Sequence, residues 1–256
     1  MFMLSINVKK HLNKLQQKKF RKEFKEFIVE GVKGVEEALN SEFEIAVIVI
    51  EGNLRDNSSM QRIIAKAEKE DILVEYCNHS DVADIQTTDT FPGVLAVISQ
   101  DEQELLSMTE QKILCLAGVK DPGNLGTIIR TADWFGVENI LLSEDCVDLY
   151  NHKVVRSTMG SIFHTNVLRS PNLQKDLEFL KKKFDYKIYS LDLHGDDVEK
   201  IPSNNKSIYL FGSESHGVPS ELENLIDQSY TIPGSGGAES LNLAISVGIV
   251  LHRISV

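Results

Sequence analysis

The spacing of apolar residues changes several times along the chain, and each change marks an element. Phe27-Ile-Val-Glu-Gly31 is a short apolar run, and Val35 and Leu39, four apart, predict a helix over Val32–Leu39. Unbroken apolar residues at Ile45–Ile50 predict a strand, residues 59–70 have a helical pattern, and Ile72–Tyr76 and Val94–Ser99 predict two more strands. This alternation predicts a small α/β unit with parallel pairing. Gln100–Glu110 is polar and acidic and reads as a linker, giving units at 1–99 and 112–256 joined by residues 100–111.

The second unit opens with Ile113–Gly118, a continuous apolar run of the kind found in strands buried on both faces of a parallel sheet. A helix over Leu125–Phe135 follows, with Asn124 as its cap before and Gly136 after. Asn139–Leu142 reads as a strand, His152–Ser161 contains a short helix, and Phe163–Leu168 is extended. Leu173–Phe184 is helical, and Lys187–Leu191 and Ser207–Gly212 are strands. The last helix, Glu239–Ile254, is apolar almost all round and must be buried on several sides, in a core or a subunit interface.

Composition narrows the class. Of 256 residues 42% are hydrophobic and 25% charged, as in ordinary globular proteins. The three cysteines, Cys77, Cys115 and Cys146, form no CxxC pair, which argues for reduced thiols in a cytoplasmic protein with no structural metal. No apolar run reaches the roughly 18 residues of a membrane span, and no long apolar stretch precedes the N-terminal lysines as in a secretory signal. The net charge of −11 is uneven. Residues 1–30 carry eight Lys or Arg against three Glu, whereas residues 31–111 carry five basic against seventeen acidic residues. Only the basic arm, which includes Lys18, Lys19 and Arg21, invites a polyanion, and its plain alternative is a solvated amphipathic helix.

Three polar clusters follow apolar runs: Asn124-Leu-Gly126-Thr-Ile-Ile-Arg130, Gly212-Ser-Glu214-Ser-His-Gly217 and Glu239-Ser240-Leu241-Asn242. Such strand ends are where open α/β sheets build ligand sites, so the three predict one composite pocket. Gly126 costs helix stability by about 1 kcal/mol against Ala, which makes sense if another molecule approaches the backbone there. Arg130 alone reads as a surface ion-pair residue; beside the other clusters it reads as a ligand-binding one. The second cluster is neither a Gly-x-Ser-x-Gly elbow nor a Walker loop. The glycine-rich Pro233–Gly237 loop leads to a helix N-terminus, whose free N–H groups suit an oxygen-rich or anionic group.

In this order the motifs resemble the SpoU (TrmH-like) family of RNA ribose 2′-O-methyltransferases, within the knotted SPOUT class. The resemblance rests on Asn124-x-Gly126-x-x-x-Arg130-Thr-Ala, Gly212-x-Glu214-x-x-Gly217 and Ile232-Pro…Ser240-Leu-Asn242, with Lys153-Val-Val-Arg156-Ser…Gly160 between the first two. It implies an α/β fold with a C-terminal trefoil-knotted parallel sheet, a feature outside the usual rule against threaded chains. It also implies a smaller N-terminal αβα substrate-binding domain, similar to kink-turn-binding ribosomal proteins through Phe27–Gly31 and Phe91–Val97. S-adenosyl-L-methionine is the implied cofactor, held by Gly212, Gly217, Ile232 and Leu241. Asn124, Arg130, Glu214, Ser240 and Asn242 are the implied reaction-site residues, with no metal. Lys18, Lys19, Arg21, Lys153 and Arg156 are the expected RNA contacts, and a homodimer through the C-terminal domain is the expected assembly. The family often assigns the base to an arginine, but a guanidinium of pKa above about 12 is a poor one. Arg130 is therefore expected to bind the target phosphate and Glu214 to orient Asn124 or Arg130. Ribosomal RNA of the 23S type is the expected substrate; transfer RNA, or a silent RNA-binding role on the same fold, are the alternatives.

Overall fold

The structure is a computed structural model and describes residues 4–82, 91–101, 103–109 and 111–255; Glu102 and Glu110 of the expected linker lie outside them. In chain order the first elements are α1 (Ile6–Leu15), α2 (Lys18–Phe24), β1 (Glu26–Glu30), α3 (Val32–Leu39) and β2 (Ile45–Glu51). Then come α4 (Ser58–Lys69), β3 (Val74–Cys77), α5 (His79–Val82), β4 (Val94–Ser99), β5 (Ile113–Leu116) and α6 (Pro122–Trp134). β6 (Asn139–Leu142), α7 (His152–Thr158), β7 (Asn166–Arg169), α8 (Leu173–Phe184) and β8 (Lys187–Asp197) follow. The chain closes with β9 (Ser207–Phe211), α9 (Ser220–Glu223), β10 (Gln228–Thr231) and α10 (Leu243–Ser255).

Two compact units result. The first comprises Met1–Asp101 together with Asp148–Phe163, so α7 packs here although it follows α6 in sequence. Its sheet has the order β1-β4-β2-β3. Parallel pairing, the expected arrangement, holds between β2 and β3 alone among the described strands of this sheet; β4 runs antiparallel to both β1 and β2. Periodicity reports which face of a strand is buried, not its direction, and every residue from Val94 to Ile98 is buried. β3 starts two residues later than expected because Asp71 is left-handed (φ 57°) and the Ile72 N–H closes α4 on the Ala67 carbonyl.

The basic arm forms α1 and α2, but not all of its cations face solvent. Arg21 is 5% exposed and donates to Asp148 Oδ2 from Nε at 3.1 Å and from Nη2 at 2.6 Å. Its Nη1 donates to the Leu15 and Gln16 carbonyls at 2.9 and 2.8 Å. The guanidinium thus holds the turn between α1 and α2 to the 148–163 segment, and four donor contacts offset its desolvation.

The second unit, Glu102–Val147 with His164–Val256, is built on a six-stranded sheet of order β10-β8-β9-β5-β6-β7, parallel at every pairing. β5 is buried at all four residues, as its unbroken apolar sequence predicts for a strand covered on both faces. Met108, in the stretch read as linker, is fully buried in this unit's core with Leu177, Leu180 and Tyr186. The Tyr186 hydroxyl donates to the Met108 and Gln111 carbonyls at 3.1 and 2.8 Å. The chain leaves β5 toward β6 on one side and returns beside it as β9 on the other. The carboxyl ends of β5 and β9 therefore meet at a topological switch point.

α10 packs on α6: the Ser255 hydroxyl donates to the Phe135 carbonyl at 3.1 Å, and the Phe135 and His252 rings lie tilted against each other with centroids 5.8 Å apart. Leu243, Val247, Val250, Leu251 and Ile254 are buried, each worth roughly 1.5–3 kcal/mol. Ile245 and Ile249 are not, at 56% and 36% exposed. Among the described residues of a single chain, therefore, α10 is covered on one side only.

Candidate functional site

The first cluster follows β5. The helix expected to begin after Asn124 begins earlier, at Pro122, and its cap is Asp121, whose Oδ1 accepts from the Asn124 N–H at 2.7 Å. Proline at the first helical position and an aspartate before it explain the shift: the ring lacks the N–H that would need a partner, and the carboxylate satisfies one further in. Asn124 is thereby relieved of capping, and its side chain points elsewhere. Gly126 is buried by the chain's own atoms, so its missing side chain is not accounted for by a ligand at its surface.

The loop before α6 is braced from β6. Ser143 Oγ accepts from the Gly118 N–H at 2.9 Å and donates to Asp145 Oδ1 at 2.5 Å, and Lys120 Nζ reaches Asp145 Oδ2 at 2.7 Å. The Lys120 and Ser143 hydrogen bonds hold the Asp145 carboxyl below its usual range. Arg169 donates to the Glu144 and Cys146 carbonyls, each at 2.8 Å, fixing the other side of the same turn. None of these four residues stood out in the sequence; the Asp121-Pro122 pair could have been read as a helix start.

The second cluster follows β9 as a closed loop. Ser213 and Gly217 exchange both backbone hydrogen bonds at 3.0 Å, and the His216 N–H is held by Ser213 Oγ at 3.2 Å. Gly212 is buried where a Cβ would lie 1.9 Å from the Gly217 carbonyl carbon, so no side chain fits. Gly217 has φ 66° and opens to free space. The loop presents Glu214 at its tip.

The third cluster follows β10, a strand the sequence did not announce. α10 starts at Leu243 rather than Glu239, because Asn242 is its cap: Oδ1 accepts from the Ala244 N–H at 2.9 Å. The three clusters then join. Asn124 Nδ2 donates to Glu214 Oε1 at 2.6 Å, and Asn242 Nδ2 donates to Asn124 Oδ1 at 3.0 Å. The polarity is self-consistent. A carboxylate only accepts, so Asn124 must turn its amide N–H to it and its carbonyl to Asn242; the Asn242 oxygen is then left for the helix N–H groups.

Arg130 and Ser240 are not part of this chain of bonds. Both are exposed, and among the described residues neither side chain makes a hydrogen bond or ion pair. Of the residues implied for the cofactor, Gly212 is buried, Ile232 half-buried just past β10, and Leu241 48% exposed. Among the described residues none from 233 to 241 forms a hydrogen bond, which leaves the polar backbone of this glycine-rich loop open. Open amides and carbonyls beside two apolar side chains are a donor set that fits a nucleoside, its base edge on the backbone and its ring on Ile232 and Leu241.

The expected RNA contacts all fall in the first unit. Lys18 and Lys19 are exposed in the first turn of α2, and Lys153 and Arg156 are exposed on α7 at i, i+3 spacing. Arg21 differs from them, being buried in its ion pair with Asp148.

Residues 111–252 match the SpoU rRNA Methylase family model, and residues 7–96 match the MRM3-like substrate binding domain. The chain is 32% identical over 246 residues to the 23S rRNA (guanosine(2553)-2′-O)-methyltransferase RlmP of Bacillus subtilis, covering 96% of this chain and 94% of that protein. It is 25% identical over 242 residues to the 23S rRNA (uridine(2479)-2′-O)-methyltransferase of Streptomyces viridochromogenes, covering 89% and 82%. An AdoMet-bound rRNA methyltransferase from Sinorhizobium meliloti superposes with a TM-score of 0.88 at 30% identity, over 99% of this chain and 96% of that one. Three convergent motifs and a family match over more than half the chain lead to one assignment: the protein belongs to the SpoU rRNA methylase family and is an RNA methyltransferase.

Proposed function

We propose that this protein transfers a methyl group from S-adenosyl-L-methionine to a ribose 2′-oxygen of ribosomal RNA, of the 23S type. The observation that carries this reading is the bonded set Glu214–Asn124–Asn242, which ties the three family motifs together at one end of the sheet. Relatives at 32% and 25% identity over most of the chain are named 23S rRNA 2′-O-methyltransferases, which supports the choice of RNA.

When bound, the cofactor supplies an electrophilic methyl on a sulfonium. The Gly212–Gly217 loop, Ile232 and Leu241 hold it. The Asn124–Glu214–Asn242 set fixes the loops that bring the two reactants together, and such positioning is worth roughly 7–11 kcal/mol of barrier. Arg130 binds the target phosphate and stabilises charge on the attacking oxygen, whose proton leaves to the phosphate or to water. Glu214 is a positioning residue. Glu214→Gln keeps a carbonyl that accepts from Asn124, so it lowers kcat about fivefold, as for loss of about 1 kcal/mol from one charged hydrogen bond. Its pH–rate profile is unchanged; loss of the acidic limb in that variant would make Glu214 the base.

Lys18, Lys19, Lys153 and Arg156 face the RNA. Neutralising Lys18 and Lys19 together lowers the slope of log affinity against log salt by about 1.4, at about 0.7 per single-strand phosphate contact. An unchanged slope in filter binding leaves α2 as a solvated helix. The exposed Ile245 and Ile249 face of α10, with Trp134 of α6 at 84% exposed, is covered by a second copy of the chain. Sedimentation of the full chain reads this as twice 28.7 kDa. The reading includes a trefoil knot. In its support, the chain after β10, at the edge of the sheet, returns across it to lay α10 on α6. It also includes a cytoplasmic location, where the three free buried cysteines stay reduced.

The test is transfer of radiolabelled methyl to ribosomal RNA and, separately, transfer RNA from cells lacking the protein. Label in an alkali-resistant dinucleotide of ribosomal RNA is the expected result. Label in transfer RNA alone overturns the target, and failure to bind cofactor overturns the activity in favour of a silent RNA-binding role.

A further inference from the structure

The first unit contains a cleft of about 260 Å³ that none of the three motifs lines. One wall is the β1–α3 turn from Glu30 to Gly34; the other is α7 and the turn after it, through Phe163. Val32, Val155, Met159, Ile162 and Phe163 give it an apolar interior, while Lys33, His152 and Arg156 bring cationic or basic groups to it. The volume lies just under the roughly 300–1,000 Å³ of small-molecule sites, a size suited to one base and its sugar.

We propose that this cleft receives one unstacked nucleotide of the RNA substrate, with its base against the apolar walls and its phosphate on Lys33 and Arg156. The proposal rests on the RNA methyltransferase reading and adds to it where the first unit grips the strand. Three observations carry it. The walls are fixed. Met159 ends α7 in a left-handed conformation (φ 52°), and Gly160 (φ 101°) lies so close to α3 that a Cβ would be 2.6 Å from Glu37 Cγ. Phe163 is held edge-on by Phe43 at 5.2 Å. A cleft with rigid apolar walls cannot collapse to hide them, and Met159 is left 45% exposed at its margin.

The second observation is charge. Residues 31–111 are strongly acidic, yet the charged residues that line the cleft are Lys33 and Arg156 against Glu30 alone. Burial first, then Arg156, Lys153 and Arg21, hold the His152 imidazole below its ordinary range. A neutral His152 donates or accepts a hydrogen bond without adding charge. The third is chemical class. Unstacked bases bind by stacking on apolar and aromatic side chains, with phosphates on Arg or Lys, and a thioether is polarisable enough to lie against a base face. Glu30 adds an acceptor suited to base N–H groups.

The full chain carries five methionines, so ¹³C-methyl methionine spectra, with Met159→Leu to assign the signal, report on the cleft directly. The probes are adenosine, guanosine, cytidine and uridine 5′-monophosphates, with ribose 5-phosphate and inorganic phosphate as controls. A saturable upfield shift of the Met159 methyl by at least one nucleotide, absent with ribose 5-phosphate, is the expected result. Lys33→Ala weakens that binding about tenfold, as expected for a hydrogen bond to a charged group. Val32→Trp, which fills the cleft, abolishes it. An equal shift with inorganic phosphate overturns the base site. Tritiated S-adenosylmethionine binding by the same preparation separates the two readings. Cofactor bound with Met159 unmoved overturns the cleft and leaves the methyltransferase reading intact. Met159 shifted without cofactor binding keeps the cleft and overturns that reading.

Discussion

Replacing Arg130 by alanine lowers the rate of methyl transfer by roughly 10²–10³-fold and leaves the fold intact. The rate figure is the cost of removing one preorganised donor aimed at a developing oxyanion, about 2.7–4 kcal/mol. The intact fold follows from the structure. Arg130 is exposed on α6, and among the described residues its side chain has no partner to lose. Its neighbours Ile128, Ile129 and Ala132 are buried and hold the helix without it. Alanine is the strongest helix former, so the melting temperature stays within the small range of ordinary surface substitutions. Arg130→Lys is the sharper test. Lysine keeps the positive charge but not the planar fork that binds a phosphate in two places, so it recovers less than about tenfold of the loss. Single-turnover methyl transfer to the RNA identified by labelling measures both variants. Near-normal turnover by the lysine enzyme would show that a point charge suffices and would remove the bidentate role.

Local patterning in the sequence reaches some features of the candidate site and not others. The motif residues were visible because glycine, asparagine and acid stand directly after apolar runs. The elements α3 (Val32–Leu39), β6 (Asn139–Leu142) and α8 (Leu173–Phe184) lie at the expected bounds because each buries one clear stripe or run. What joins the elements was not visible. The bond from Asn124 to Glu214 spans 90 residues and that from Asn242 to Asn124 spans 118, and no local period encodes either. Arg21 looked like one cation among eight, yet its partner Asp148 lies 127 residues away. β10 was missed because only Tyr230 of its four residues is buried, which gives too little alternation to detect. Helix starts slipped for a local reason. At α6 and α10 the caps are Asp121 and Asn242, whose side-chain oxygens accept first-turn N–H groups and so set where each helix begins. Local patterning thus marks candidate residues but not what each one touches.

Gly212→Ala lowers the affinity for S-adenosylmethionine by 100-fold or more while the sheet remains folded. The new methyl would lie 1.9 Å from the Gly217 carbonyl carbon, 2.0 Å from its oxygen and 2.2 Å from the Val218 nitrogen. These are backbone atoms and cannot swing aside as a flexible side chain could. Relief requires breaking the paired Ser213–Gly217 hydrogen bonds, which opens the loop and moves Glu214 away from Asn124. One small group therefore undoes the Gly212–Gly217 loop and the tie between the first two motifs together, and 100-fold corresponds to about 2.8 kcal/mol. β9 itself, buried at every residue from Ser207 to Phe211, ends before the clash, so the overpacking costs the fold only about 1–3 kcal/mol. Gly217→Ala is the control. That residue also needs its positive φ, but a Cβ there meets no atom within 4 Å, so it costs about 1–2 kcal/mol of backbone strain with no collision. Equilibrium dialysis against tritiated cofactor, with thermal melts monitored by circular dichroism, separates the two variants. If Gly212→Ala bound cofactor as tightly as Gly217→Ala, the closed form of the loop would not be the binding form, and Glu214 would be free to take a role other than holding Asn124.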